Sequence, residues 1–361
     1  ITWYDSAAGT TGVVSASNSL VGSTGGDLVG NDSINQFSGT RWYVATSDWN
    51  SAAGAVTLID TAAPLVGAIT ATNSLVGSNA NDRVGSGDIY DVSGGSYVVF
   101  SPEWNGGMGA VTWYDEVAGT TGAVSASNSL VGSNAGDRVG SGYWEYVGSK
   151  IAINSPGWTA GGTLTNAGAM TWVDPNAPLV GVVGAGNSLV GSHSADFVGG
   201  YGVHYIDGTR YLVVNQGWNS NSGAVTWVDS TNPVVGVVGS GNSLVGATPG
   251  DFVGVNGAYT SGYGKTAVFS ADWNGTMGAV SWIDDAAGTV GGVSAANSLV
   301  GSTVGDRVGS GNYDDLGGVL AIFSPAWANT PSVPRAGAVT WADATTGIVG
   351  TVSAANSLVG S

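Results

Sequence analysis

The sequence predicts an all-β fold: a β-propeller of four-stranded antiparallel blades, with seven blades favoured over a six-bladed ring or an open array. Its first support is a repeat. The pentapeptide NSLVG recurs at Asn18, Asn73, Asn128, Asn187, Asn242, Asn297 and Asn356, at intervals of 55, 55, 59, 55, 55 and 59 residues. A fixed period of that length marks a propeller, solenoid or array. The second support is the content of each period. The second full repeat reads DRVGSGDIYDV, SYVVFSPEW, GAVTWYDE and GAVSASNSLVGS, four strand-like pieces, the second and third carrying strand-forming Val, Phe, Trp and Tyr, with Gly and Asn at the turns. The third is that no piece shows a capped 3.6-residue helical period. Four short strands make one propeller blade, which covers its two faces only by stacking on neighbours.

The chain reads as a single β-propeller repeat domain over residues 1–361. Cutting after each LVGS or its equivalent gives a half-unit, 1–23, and full units 24–78, 79–133, 134–192, 193–247, 248–302 and 303–361. Four-residue insertions precede GAMTW and GAVTW in the third and sixth units, so they fall in one loop class. The opening TWYDSAAGTTGVVSASNSLVGS duplicates the closing TWADATTGIVGTVSAANSLVGS instead of complementing it. The missing strands of a seventh blade are therefore expected outside this chain or from a neighbour. Ile1 opens in mid-motif, and the chain is expected to be a piece of something longer.

Composition narrows the function. Glycine is 62 of 361 residues and charged residues only 9%, against about 7% and 25% in ordinary domains. Eight Lys plus Arg face 25 Asp plus Glu, a net charge of −17, which argues against nucleic acid and against an anionic membrane surface. The absence of cysteine removes disulfides, thiolate metal sites and Cys nucleophiles. It fits a secreted or surface-displayed bacterial protein. No apolar run approaches the ~20 residues of a membrane span.

The repeated polar residues read first as architecture. Each link LVGS…GDxVG carries an Asp (Asp27, Asp82, Asp137, Asp196, Asp251, Asp306), and the third strand ends in another (Asp5, Asp60, Asp115, Asp174, Asp229, Asp284, Asp343). Both columns suit turn capping. Tryptophan forms two columns as well. Trp3, Trp113, Trp172, Trp227, Trp282 and Trp341 lie in the third strand, with Leu58 in the remaining place. Trp49, Trp104, Trp158, Trp218, Trp273 and Trp327 follow the second strand, while Trp42 and Trp144 are off-pattern. Packing between blades is the plain reading of both columns. A sharper one makes the second column a ring of sugar-stacking platforms, with Asn50, Asn105, Asn219 and Asn274 beside them as hydrogen-bonders.

The segment LVGSNAGDRVGSG followed by YVVFSPEWNGGMGAVTWYD resembles the FG-GAP repeat of integrin-α-like propellers. That family has a leucine-glycine link, a Gly-Asp turn, a strand ending in a small-residue–Pro pair and a GAV-type strand. Here Ser101–Pro102, Ser155–Pro156 and Ser324–Pro325 supply the pair, and GAV begins at Gly54, Gly109, Gly223, Gly278 and Gly337, with GAM at Gly168. The wording GAVTW…VSASNSLVGS is also similar to tandem repeats of large bacterial haemagglutinin-like surface proteins. The resemblance implies a bladed propeller with an extracellular or cell-surface role in adhesion. Calcium is possible by the same resemblance, but the loops do not support it. GSGDIYDVSGG, GSGYWEYVGS, GGYGVHYIDG and GSGNYDDLGG lack alternating oxygen ligands. Asp88 with Asp91, and Asp314 with Asp315, are spaced to point to opposite faces of a strand.

No catalytic constellation stands out. His193 and His204 are the only histidines, no G-x-S-x-G turn is evident, and Glu103, Glu116 and Glu145 are the irregular carboxylates. The expectation is a non-enzymatic adhesive or structural module without a cofactor or metal, whose partners are surface glycans, proteins or copies of itself. The alternative is a glycan-binding lectin using Trp49, Trp104, Trp158, Trp218, Trp273, Trp327 and their neighbouring Asn residues.

Overall fold

The computed structural model describes residues 1–4, 9–92, 95–330 and 332–361. The architecture is all-β, with seven sheets along the chain, consistent with a seven-bladed β-propeller. One sheet has two strands, five have five and one has four. The second full repeat shows the pattern. Strands Ile89–Asp91, Ser96–Ser101, Ala110–Asp115 and Ser129–Val131 form an antiparallel meander in that order. Ala110 to Tyr114 are all buried, because both faces of the strand are covered, so its apolar residues run on without alternating.

The expected four strands per blade are corrected in one respect. A fifth strand of two residues comes from the next repeat and pairs in parallel with the fourth strand, at the edge of the sheet. Gly67–Ala68 joins Leu20–Val21, Gly122–Ala123 joins Ser74–Val76, and Gly181–Val182 joins Ser129–Val131. The same exchange recurs at Gly236–Val237, Gly291–Gly292 and Gly350–Thr351. Each repeat thus hydrogen-bonds its neighbour through the backbone as well as packing on it.

The chain divides into two compact units. The first comprises Ile1–Trp144, Ile153–Gly162 and Val173–Val183, the second Glu145–Ala152, Thr163–Trp172 and Gly184–Ser361. In the first, Trp104 packs in a core with Phe37, Tyr97, Tyr114 and Leu75. In the second, Trp172 and Trp218 share a core with Tyr211 and Leu189, and Trp282 and Trp327 share another with Phe269 and Leu299.

NSLVG earns its repetition position by position. The Asn carboxamide closes the turn after the swapped strand: Asn128 Oδ1 accepts the Ser125 amide at 2.9 Å and its Nδ2 donates to the Ala123 carbonyl at 3.0 Å. The Ser hydroxyl donates to that Asn Oδ1 and accepts from a buried hydroxyl on the third strand, as in Thr112–Ser129 at 2.7 Å. The Leu is fully buried in every repeat but the last. The Gly admits a close approach, since a Cβ on Gly132 would stand 2.2 Å from the Met108 carbonyl oxygen.

Candidate functional site

The link Asp is a clip between successive repeats. Asp82 is fully buried, and its Oδ2 accepts the amides of Ser78 and Asn79, both at 2.8 Å. Its Oδ1 accepts the Asn105 amide at 2.9 Å, from the turn after the second strand. Asp27, Asp137, Asp196, Asp251 and Asp306 each accept the same three kinds of amide. At Asp27 burial opposes ionisation, but hydrogen bonds from the Thr24 hydroxyl and the amides of Thr24, Asn50 and Ser23 outweigh it and hold the carboxyl below its usual range. The residue after each clip is left-handed although never glycine: Leu28, Arg83, Arg138, Phe197, Phe252 and Arg307 have φ of +44° to +51°.

Where that residue is Arg it pairs with the acid before the turn's Trp: Arg83 with Asp48 at 3.5 Å, Arg138 with Glu103 at 2.6 Å and Arg307 with Asp272 at 2.9 Å. The strand-end carboxylates cap turns, as Asp115 Oδ1 does for the amides of Val117 and Ala118. Asp60, Asp174, Asp229, Asp284 and Asp343 do the same, while Asp5 lies outside the described residues.

The candidate sugar platforms are placed mostly inside. Trp49, Trp104, Trp158, Trp218 and Trp327 are 4–9% exposed and Trp273 is half-buried. A stacking platform needs an open ring face, and the five buried indoles present none; packing is the role their burial supports. The turns that carry them wind left-handed at Asn50, Asn105, Asn219 and Asn274, with φ of +48° to +50°, which offers each Asn amide to the preceding Asp. Asn50 and Asn274 are exposed. Asn105 and Asn274 donate to the sulfurs of Met108 and Met277 at 3.1 and 3.2 Å.

Two groupings were not visible in the sequence. In the first unit, Gly87, Asp88, Tyr90, Phe100, Pro102, Arg138 and the segment 140–144 line a half-open cavity of about 450 Å³. Tyr90 and Trp144 meet there with ring centroids 4.8 Å apart at 57°, and the Tyr90 hydroxyl donates to Asp88 Oδ2 at 2.6 Å. In the second unit, His204 Nε2 lies 2.9 Å from the Thr260 hydroxyl, which lies 2.9 Å from that of Thr266, which donates to Asp285 Oδ1 at 2.7 Å. Burial lowers the His204 pKa and raises those of Asp285 and Glu145. The off-pattern Trp144 and His204, one of the two histidines, were the only sequence signals for either grouping. Among the described residues, no three His, Cys, Asp or Glu side chains stand close enough together to hold a metal ion.

One surface feature recurs. The residue before the swapped-strand glycine is an exposed valine in five repeats: Val66, Val180, Val235, Val290 and Val349, each 43–54% exposed. Thr121 takes that place in the second full repeat.

The model of a repeat of unknown function (DUF5650) matches seven segments of the chain: residues 1–31, 40–86, 91–141, 150–200, 206–255, 261–310 and 318–361. No curated protein matches the sequence.

Proposed function

The chain belongs to the family of this repeat (DUF5650), and from that premise we propose that it is a non-enzymatic, surface-displayed or secreted structural and adhesive module that associates laterally with copies of itself or with other proteins. The observation that carries this reading is the valine row. A single exposed valine is ordinary, but one kept at the same place in five of six full repeats offers an apolar contact that each of those repeats presents to a partner. The polar residues shared by the repeats support the reading from the other side. Link Asp, strand-end Asp, Asn and Ser are engaged with the chain's own backbone and hydroxyls, and so are committed to architecture. The FG-GAP-like wording and the lack of cysteine favour an extracellular setting.

Light scattering across a concentration series tests the proposal. Association should raise the apparent mass with concentration, and replacing Val235, Val290 and Val349 together by Thr should return it to that of one chain. A monomer at every concentration that also captures no protein through this face would refute it.

A further inference from the structure

We propose that the cavity bounded by Tyr90 and Trp144 binds one neutral sugar unit of a glycan. The inference goes beyond lateral association and does not depend on it. Its volume of about 450 Å³ lies within the ~300–1,000 Å³ of small-molecule sites. The two rings, tilted by 57° with centroids 4.8 Å apart, make an apolar wall suited to the C–H face of a pyranose. Asp88, Ser141 and Arg138 also line it, bringing a carboxylate, a hydroxyl and a guanidinium, an acceptor and donors for a rim of sugar hydroxyls. Two hydrogen-bonded anchors pre-set this rim. Tyr90 holds Asp88 at 2.6 Å and Glu103 holds Arg138 at 2.6 Å, and a guanidinium with five N–H donors keeps others to offer.

Charge selects among ligands. Arg138 at the cavity disfavours a quaternary ammonium, which the aromatic pair would otherwise suit. A net charge of −17 disfavours a polyanion. The equivalent junction in the second unit is built differently. There Tyr313 replaces the tryptophan, meets Tyr259 at 4.4 Å and stacks on Phe269 at 5.2 Å and 17°.

The test uses the whole chain on an array of neutral and charged glycans, followed by fluorescence titration of the best neutral glycan against Trp144→Ala, Asp88→Asn and Trp273→Ala. Binding should fall at least tenfold in the first two and hold in the third. Asp88→Asn leaves the rings in place, so it stands if Trp144→Ala fails to fold. A blank array overturns the proposal. So does binding indifferent to both cavity variants, binding of acidic glycans alone, or tetramethylammonium competing with the glycan. Loss of lateral association is read separately, by light scattering, and leaves this result untouched.

Discussion

Replacing Gly109 with Ala should destabilise the protein far more than the same change at Gly337. Both glycines open the GAV strand of their repeat, and both are left-handed, with φ of +78° and +79°. A Cβ at Gly109 would stand 2.2 Å from the Val139 amide nitrogen and 2.6 Å from the Arg138 carbonyl carbon, whereas at Gly337 the nearest atom is 3.9 Å away. The left-handed backbone costs an alanine about 1–2 kcal/mol at either place. Only Gly109 adds overpacking against rigid backbone, worth about 1–3 kcal/mol. Gly109→Ala should therefore lose about 2–5 kcal/mol and Gly337→Ala about 1–2 kcal/mol. Urea unfolding followed by tryptophan fluorescence and circular dichroism reads the difference. Equal losses would refute the reasoning, because they would make the backbone conformation, and not the approach of the next repeat, the reason for glycine. Gly54, Gly168, Gly223 and Gly278 share the contact at 2.2–2.3 Å and should behave as Gly109 does.

Other expectations follow from the same geometry. Trp158→Ala, in the core, should cost about 3–5 kcal/mol, while Trp341→Ala, 45% exposed, should fall within about 0.5 kcal/mol; thermal melts compare them. Glu145→Gln should raise the melting temperature at neutral pH. Burial raises the Glu145 pKa above its ordinary value, so its stability contribution is present at low pH and lost as pH rises through the folded pKa, and a Gln escapes that loss. The gain should shrink on acidification to about pH 4, and a gain constant with pH would contradict the assignment. Asp27 has the opposite sign. Its folded pKa is lowered, so its contribution is full above the unfolded value of about 3.9 and is lost as pH falls through the folded one. Asp27→Asn should flatten the acid limb of the pH–stability curve.

The period, the strands and the two Asp columns were legible because each is a local pattern written several times over. NSLVG and GDxVG repeat their residue types, and turn capping by Asp82 and Asp115 needs only near neighbours. The swapped strand was not legible. Gly67–Ala68 is two residues long, too short for any periodicity, and its pairing with Leu20–Val21 is set by the register of another repeat. The burial of Trp113 and the exposure of Trp341 also depend on what packs against them, since both stand in the same GAVTW wording. The cavity lined by Tyr90 and Trp144 joins two successive repeats, and their contact is set by how the repeats pack, which the wording after each DRVGSG does not show. The Arg pairs are legible in the sequence as well. Arg83, Arg138 and Arg307 occur with Asp48, Glu103 and Asp272, and where Phe252 takes the Arg position, Gly217 takes that of the acid.

That the repeated polar side chains serve the backbone is tested most directly by hydrogen exchange of the whole chain and of Asp82→Asn. An Asn offers one acceptor oxygen where the carboxylate offers two, and its NH2 must face a donor. The variant should lose protection at the Asn105 amide, or at Ser78 and Asn79, with the other five links unchanged, because each unmade buried bond costs about 1–3 kcal/mol. Protection unchanged at all three amides would contradict the clip.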